Sequence, residues 1–211
     1  MTAALLFDLD RTLVDVQSFT DYAAARLDAE AVVGHDRSLT AVPDTDWSSD
    51  TQAAMALLVT YAGDARWDAL SAAIAAHELA AVTSSTPMPT LAEAWALCAA
   101  IPHAVVTLVP EEVARAALSA HGIDASPDVL AVIGRRAGQR PKPAPDGLLS
   151  ACELLGVDPA RAVMIGDSTW DAEAAHAAGT GFVGVPFHPG ALPEGTVTTP
   201  DLVSAVRLAL G

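Results

Sequence analysis

The strongest constraint on this chain is a repeated pattern. Short runs that are apolar at every position end in polar residues, and helical stretches separate them. The first run, residues 3–7, stops at Asp8-Leu9-Asp10, and similar runs recur at 103–107, 129–133, 162–165 and 181–185. A run that is apolar throughout, rather than at alternate positions, is a strand buried on both faces, as in a parallel sheet. The stretch 91–100 reads as a helix ahead of the second run. Residues 110–120 open with Pro110-Glu111-Glu112, a proline and two acids in the turn where the helix dipole favours them. A further helix runs from Pro145-Asp146 to Gly156, and another over 171–178 is closed by Gly179. Strands alternating with helices through short links predict an α/β fold: a doubly wound, Rossmann-like parallel sheet.

Residues 16–84 interrupt the alternation. They contain no convincing strand, and 18–33, 50–61 and 65–82 read as helices around a polar, turn-rich stretch at 34–47. Pro87 and Pro89 mark the return. The expected organisation is a core domain of 1–15 and 85–211 carrying an all-helical cap of 16–84, with crossings near 14–17 and 83–90.

Composition narrows the function. The chain has 26 acidic and 11 basic residues, a net charge of −15. That balance argues against a nucleic-acid partner and against a basic face for anionic lipid, both of which need clustered cations. Ten of the basic residues are arginine; Lys142 is the single lysine. Cys98 and Cys152 sit in apolar helical patterns and read as two buried thiols in a reducing cytoplasm. The apolar start lacks a basic region and a cleavage site, and no stretch of about 20 residues suits a membrane span.

In a doubly wound sheet, ligands bind beyond the C-terminal ends of the strands. Asp8 and Asp10 follow the first run, Thr107 ends the second, and Asp167, Ser168 and Asp171 follow the fourth. Lys142 lies in the loop after the third. Four carboxylates, a hydroxyl and an ammonium thus converge on one edge. Packed carboxylates repel, and a hard divalent cation such as Mg²⁺ relieves them with oxygen ligands. Such a site accepts a phosphoryl dianion, whose oxygens a lysine and a hydroxyl can hold. Of two aspartates one residue apart, one can attack phosphorus while the other handles protons.

Four segments in order carry a specific resemblance: 7–15 (Phe-Asp-Leu-Asp-Arg-Thr-Leu-Val-Asp), Val105-Val106-Thr107, Lys142-Pro143-Ala144-Pro145-Asp146, and Ile165-Gly166-Asp167-Ser168-Thr169-Trp170-Asp171. Together they resemble the haloacid dehalogenase superfamily, in its phosphatase branch with a small helical cap, akin to phosphoglycolate phosphatases. The resemblance implies a Mg²⁺-dependent phosphatase of a small phosphorylated metabolite. Asp8 is then the nucleophile that forms an aspartyl-phosphate, and Asp10 the acid and base. Thr107, the Leu108 N–H and Lys142 hold the phosphoryl group. Asp8, the Asp10 carbonyl and Asp167 hold the metal, and Asp171 acts at its outer shell or orients Lys142. The cap closes over the site and selects the substrate.

Two positions depart from the family pattern. Arg11 replaces the usual glycine and narrows the entrance, and Leu108-Val109-Pro110 follows Thr107 where a small polar residue is common. Arg11, His35 and Arg37 are candidate substrate contacts. Arg135, Arg136 and Arg140 read either as a positive funnel or as solvated and ion-paired arginines. Ser168, His176 and His188 read as turn, surface and loop residues. Two other functions stay open: a sugar phosphomutase, or an inactive binding protein of the same family. Phosphonate cleavage needs a cap lysine, and this cap has none.

Overall fold

All four side chains of the first strand are buried, at most 1% exposed. Leu5 and Phe7 enter one apolar cluster while Ala4 and Leu6 enter another. A pleated strand sends alternate side chains to opposite faces, so this strand lies between two layers of helices. The coordinates are a computed structural model that describes residues 2–34 and 39–211. Along the chain, β1 (Ala4–Phe7) and β2 (Val14–Asp15) precede the helices α1 (Tyr22–Val33), α2 (Ser49–Thr60) and α3 (Trp67–Ala81). Then come β3 (Thr86–Pro87), α4 (Leu91–Leu97), β4 (His103–Val106), α5 (Glu111–Ala120), β5 (Ala131–Ile133) and α6 (Asp146–Leu155). The chain finishes with β6 (Ala162–Gly166), α7 (Thr169–Ala178), β7 (Gly181–Gly184) and α8 (Leu202–Leu210).

The main sheet has the order β5-β4-β1-β6-β7 with every pairing parallel. Helices α4, α5 and α8 cover the Leu5/Phe7 face, and α6 and α7 cover the Ala4/Leu6 face. Both faces are therefore covered, as the uninterrupted apolar runs require. The order also places β1 between β4 and β6. The residues leaving those three strands therefore emerge side by side at one edge.

The residues between the two short strands β2 and β3 form the helical insert. Val14 pairs with Pro87 and Asp15 with Thr86 in an antiparallel ladder, so the chain leaves and re-enters the core through one narrow neck. Helices α1, α2 and α3 pack about their own cluster, which includes Ala25, Leu58, Leu70 and Ile74. Trp170 of α7 joins that cluster, fully buried, with its ring 5.3 Å from that of Trp47. Thr169 donates to the Asp44 carbonyl at 2.6 Å beside it.

Several expected boundaries shift for local reasons. Helix α1 begins at 22, not 18, because the Asp21 side chain caps it by accepting from the Ala24 N–H at 3.0 Å. Strand β5 begins at 131, and Val129, expected inside it, is 64% exposed in a turn closed by its own N–H onto the Ser126 carbonyl. Helix α4 stops at 97 rather than 100, and α7 starts two residues earlier than expected, capped by Ser168. Helix α8 and the β2–β3 ladder were not expected at all. Among the described residues no helix is long and apolar enough to cross a membrane.

Trp170→Ala removes the core's largest contribution to the cluster of the insert. We expect a stability loss of about 3–5 kcal/mol, read by urea denaturation. A loss under about 1 kcal/mol would show that the insert holds its place without this side chain.

Candidate active site

The expected residues meet at the strand ends. Asp8 continues β1, its N–H donating to the Ile165 carbonyl of β6 at 2.9 Å, and it is buried. Lys142 Nζ donates to Asp8 Oδ1 at 2.6 Å, to Asp171 Oδ1 at 2.5 Å and to the Val106 carbonyl at 3.2 Å. One ammonium thus satisfies its three protons on β1, β4 and α7. The flanking carboxylates raise the lysine's pKa although burial opposes them, so it stays charged.

Asp171 is fully buried and fully used. Its Oδ2 accepts from the Ser168 hydroxyl at 2.6 Å and from the Ser168 N–H at 3.1 Å, while the Asp171 N–H donates to Ser168 Oγ at 3.4 Å; the last two are the reciprocal bonds of a capping box. It bonds Lys142 while it lies in the first turn of α7, and Ser168 is the N-cap of that helix. Gly166 makes this possible. A Cβ there would lie 2.5 Å from Asp171 Cγ and 2.7 Å from Oδ2, so only glycine lets the carboxylate fold beneath the end of β6.

Asp10 hangs from the turn after β1. Its Oδ1 accepts from the Val16 and Gln17 N–H groups at 2.9 Å each. Burial nevertheless pushes its carboxyl up to about 7, against those two bonds. An acid held near neutrality can both give and take a proton. Thr107 follows β4, with its N–H donating to the Ile133 carbonyl at 2.9 Å and its hydroxyl accepting from the Val109 N–H at 3.3 Å. That contact uses a lone pair and leaves the hydroxyl proton to donate. The Leu108 side chain packs against the insert's cluster.

The carboxylate oxygens of Asp8, Asp167 and Asp171 approach within 4.8 Å of one another, all three residues buried. Since Asp171 is committed to Lys142 and Ser168, Asp8 and Asp167 are the side chains that can hold a cation. Burial raises both pKa values, and Asp167 is raised further by the like charges of Asp171, Asp8 and Asp10. Two buried carboxylates short of positive charge are an all-oxygen donor set for a hard divalent ion. The Asp10 carboxylate is not part of this cluster, leaving its main-chain carbonyl as the group it can offer.

A chamber of only about 30 Å³ lies at these groups, lined by Asp8, Asp10, Lys142 and Asp167 and, from the insert, by Tyr22, Trp47 and Met55. A second cavity of about 340 Å³, sharing Tyr22, opens beside Arg11, Gln17, Ser18, Ser48 and Thr51. Arg11 has a left-handed backbone, φ 59°, and its guanidinium stacks 4.5 Å from the centre of the Phe187 ring. Its Nε and Nη1 are buried without a protein partner. His35 and Arg37 lie outside the described residues. The arginine funnel does not form as one feature: Arg135 is buried against Glu78 at 2.8 Å, and Arg140 pairs at the surface with Asp146 at 2.7 Å. Sequence reasoning missed Tyr22, Trp47, Met55, Glu78 and Trp170. Glu78 did carry a signal, since it follows Leu70 and Ile74 on the buried stripe of α3, where a carboxylate needs a cation.

Two outcomes follow from this geometry. Gly166→Ala pushes Asp171 away from Lys142, and we expect catalytic turnover to fall about 10- to 100-fold with the fold retained by circular dichroism. Unchanged turnover would show that the position of Asp171 does not matter. Between about pH 4 and 7 the folded metal-free protein keeps a proton on Asp10 that the unfolded chain has released, so this contribution to stability falls as pH rises through that window. Mg²⁺ binds ionised carboxylates, so it should raise Tm more at about pH 8 than at about pH 5, and Asp167→Asn should remove the difference. An equal Tm shift at both pH values would contradict this.

The family model of haloacid dehalogenase-like hydrolases matches residues 2–179. Validoxylamine A 7′-phosphate phosphatase of Streptomyces hygroscopicus subsp. limoneus is 33% identical over 194 residues, covering 88% of this chain and 86% of that protein. Phosphoglycolate phosphatase of Neisseria meningitidis is 38% identical over 106 residues, covering 49% of this chain and 44% of that protein. In fold, the chain is similar to CbbY from Rhodobacter sphaeroides solved with phosphate, with a TM-score of 0.69, 24% identity and 96% of each chain covered. With the family's motif residues gathered at the strand ends and its model matching most of the sequence, the chain belongs to the haloacid dehalogenase-like hydrolases.

Proposed function

We propose that the protein is a Mg²⁺-dependent phosphatase that hydrolyses a small phosphate monoester through an aspartyl-phosphate on Asp8. The observation that carries this reading is the Lys142 ammonium between Asp8 and Asp171, beside an Asp10 held near neutrality. The phosphatase names of both curated relatives support it. Asp8, Asp167 and the Asp10 carbonyl would hold Mg²⁺, which supplies positive charge to the phosphoryl oxygens.

The steps follow from the roles of the residues. The substrate's phosphoryl group is bound by Lys142, the Thr107 hydroxyl and the Leu108 N–H. An Asp8 carboxylate oxygen attacks phosphorus, forming the O–P bond while the ester P–O bond breaks. Protonated Asp10 gives its proton to the departing alkoxide, so an alcohol leaves. The resulting Asp10 carboxylate takes a proton from a water, whose oxygen attacks phosphorus and releases inorganic phosphate. Asp8 is restored as a carboxylate and Asp10 as an acid, so the cycle closes.

The cavity beside Arg11 is lined by hydroxyls, an amide and the carboxylates of Asp21 and Asp50, which suits a leaving group rich in hydroxyls, in keeping with the phosphorylated compound in the first relative's name. Arg11, which lines that cavity, would contact the leaving group. The setting we propose is the cytoplasm, supported by two free, buried cysteines, with burial pushing the Cys98 thiol up to about 11.

Phosphate release from an aryl phosphate and a panel of metabolite phosphates, with and without Mg²⁺, tests the reading. Asp8→Asn should abolish turnover, by more than about 1,000-fold; activity near wild type would mean another nucleophile. Asp10→Asn should still release about one equivalent of nitrophenolate from p-nitrophenyl phosphate and then stall, because that leaving group needs no proton but the second step needs a base. Steady turnover by this variant would remove Asp10 from the mechanism. Arg11→Gly should raise KM for a sugar phosphate about tenfold more than for the aryl phosphate. Equal effects on both would mean that Arg11 does not read the leaving group.

A further inference from the structure

We propose that Arg135 is a positioning residue. With Glu78 it joins helix α3 of the insert to the phosphoryl-binding turn at 107–109 and holds Tyr22 over the catalytic chamber. The inference rests on the phosphatase reading above.

Arg135 emerges just beyond β5, after Gly134. A Cβ at Gly134 would collide with the backbone nitrogen of Glu111, so glycine is what lets this chain segment lie against the turn that starts α5. The Arg135 N–H donates to the Val109 carbonyl at 3.1 Å, and Nη1 donates to the Leu108 carbonyl at 2.8 Å. The same Nη1 donates to Glu78 Oε1 at 2.8 Å, while Nε reaches the Ser71 hydroxyl at 2.9 Å and Nη2 the Ser71 carbonyl at 3.0 Å. Glu78 Oε1 also accepts from the Tyr22 hydroxyl at 3.2 Å. One guanidinium therefore bonds a core loop and the insert helix α3, and through Glu78 it fixes a tyrosine of α1. Only a planar fork of five donors can span these partners.

The pair is poorly suited to a purely stabilising role. The side chains of Arg135 and Glu78 are both fully buried, and Glu78 Oε2 has no partner. An apolar pair of similar volume in such a place is often as stable or more so. What an apolar pair cannot do is fix the Leu108 carbonyl and the Tyr22 hydroxyl. Both belong to residues at the site: Leu108 carries an expected phosphoryl donor, and Tyr22 lines the chamber with Asp8 and Asp10.

The test separates stability from positioning. The variant Arg135→Met/Glu78→Met removes both charges and leaves neither unpaired. It should keep Tm within a few degrees of wild type, yet lose about 10- to 100-fold in kcat/KM for p-nitrophenyl phosphate. KM should rise more than kcat falls, and inhibition by inorganic phosphate should weaken in parallel, because the phosphoryl turn is loosened. Tyr22→Phe keeps the ring and the ion pair but drops the tie to Glu78, and should show a smaller loss in the same direction. A stable double variant with wild-type KM, kcat and phosphate inhibition overturns the proposal. Should the double variant not fold, Arg135→Lys and Tyr22→Phe decide it, and wild-type kinetics in both overturns it. An inactive wild type brings down the phosphatase reading and this inference with it, whereas an active wild type with unaltered variants brings down only the inference.

Discussion

The structure turns on the ammonium of Lys142. Placed between Asp8 and Asp171, it allows three carboxylates to lie within 4.8 Å in a buried space. Every neighbouring feature follows from where that nitrogen must be. Its third bond, to the Val106 carbonyl, fixes it to the end of β4, so the strand order β4-β1-β6 has to bring three strand ends together. Gly166 has to lack a side chain so that Asp171 can reach it, and Ser168 has to cap α7 with the same carboxylate. Local capping chemistry and active-site geometry are the same set of bonds.

The insert depends on that edge in turn. Its neck is only the β2–β3 ladder, so its orientation is set by contacts made further out. Trp170 and Thr169 hold it beside α7, and the Arg135–Glu78 pair holds it beside β5. The first grip lies one to three residues from Asp167 and Ser168, and the second bonds the Leu108 carbonyl directly; all three of those residues line the chamber at Asp8. The packing of the insert and the geometry of the chamber are therefore coupled.

Much of this was readable in the sequence. The core strands are visible because burial on both faces leaves no alternation to confuse with a helix, as at Ala4–Phe7. The motif residues are visible because they follow those strands directly. The misses share a physical reason. β2 and β3 have two residues each, too short for any periodicity, and they exist only because the neck brings them together. Tyr22, Trp47 and Met55 belong to an apolar insert in which any aromatic reads as core, so their place over Asp8 appears only in three dimensions. Arg135 looked like a surface cation because its partner lies 57 residues away. Helix α8 is a different case: Asp201, whose side chain caps it by accepting from the Ser204 N–H, and the apolar stripe at 202, 203 and 206 are signs legible in the sequence itself.

The distribution of cations has a physical logic that follows from these contacts. Ten arginines serve a chain with 26 acids, and several make forked or stacked contacts, as Arg26 does with Glu30 and Asp50, Arg11 with Phe187 and Arg135 with Ser71 and Glu78. A guanidinium spreads its charge over a plane and bonds along fixed directions. The space between Asp8 and Asp171 has no room for a plane, since both oxygens lie within 2.6 Å of one nitrogen and a carbonyl lies at 3.2 Å. Only a tetrahedral ammonium can point a proton at each while remaining a compact charge. Its long apolar stem also lets it enter a buried space from the 142 loop without stranding polar atoms. The single lysine in the sequence stands where the geometry of the site excludes the cation used everywhere else.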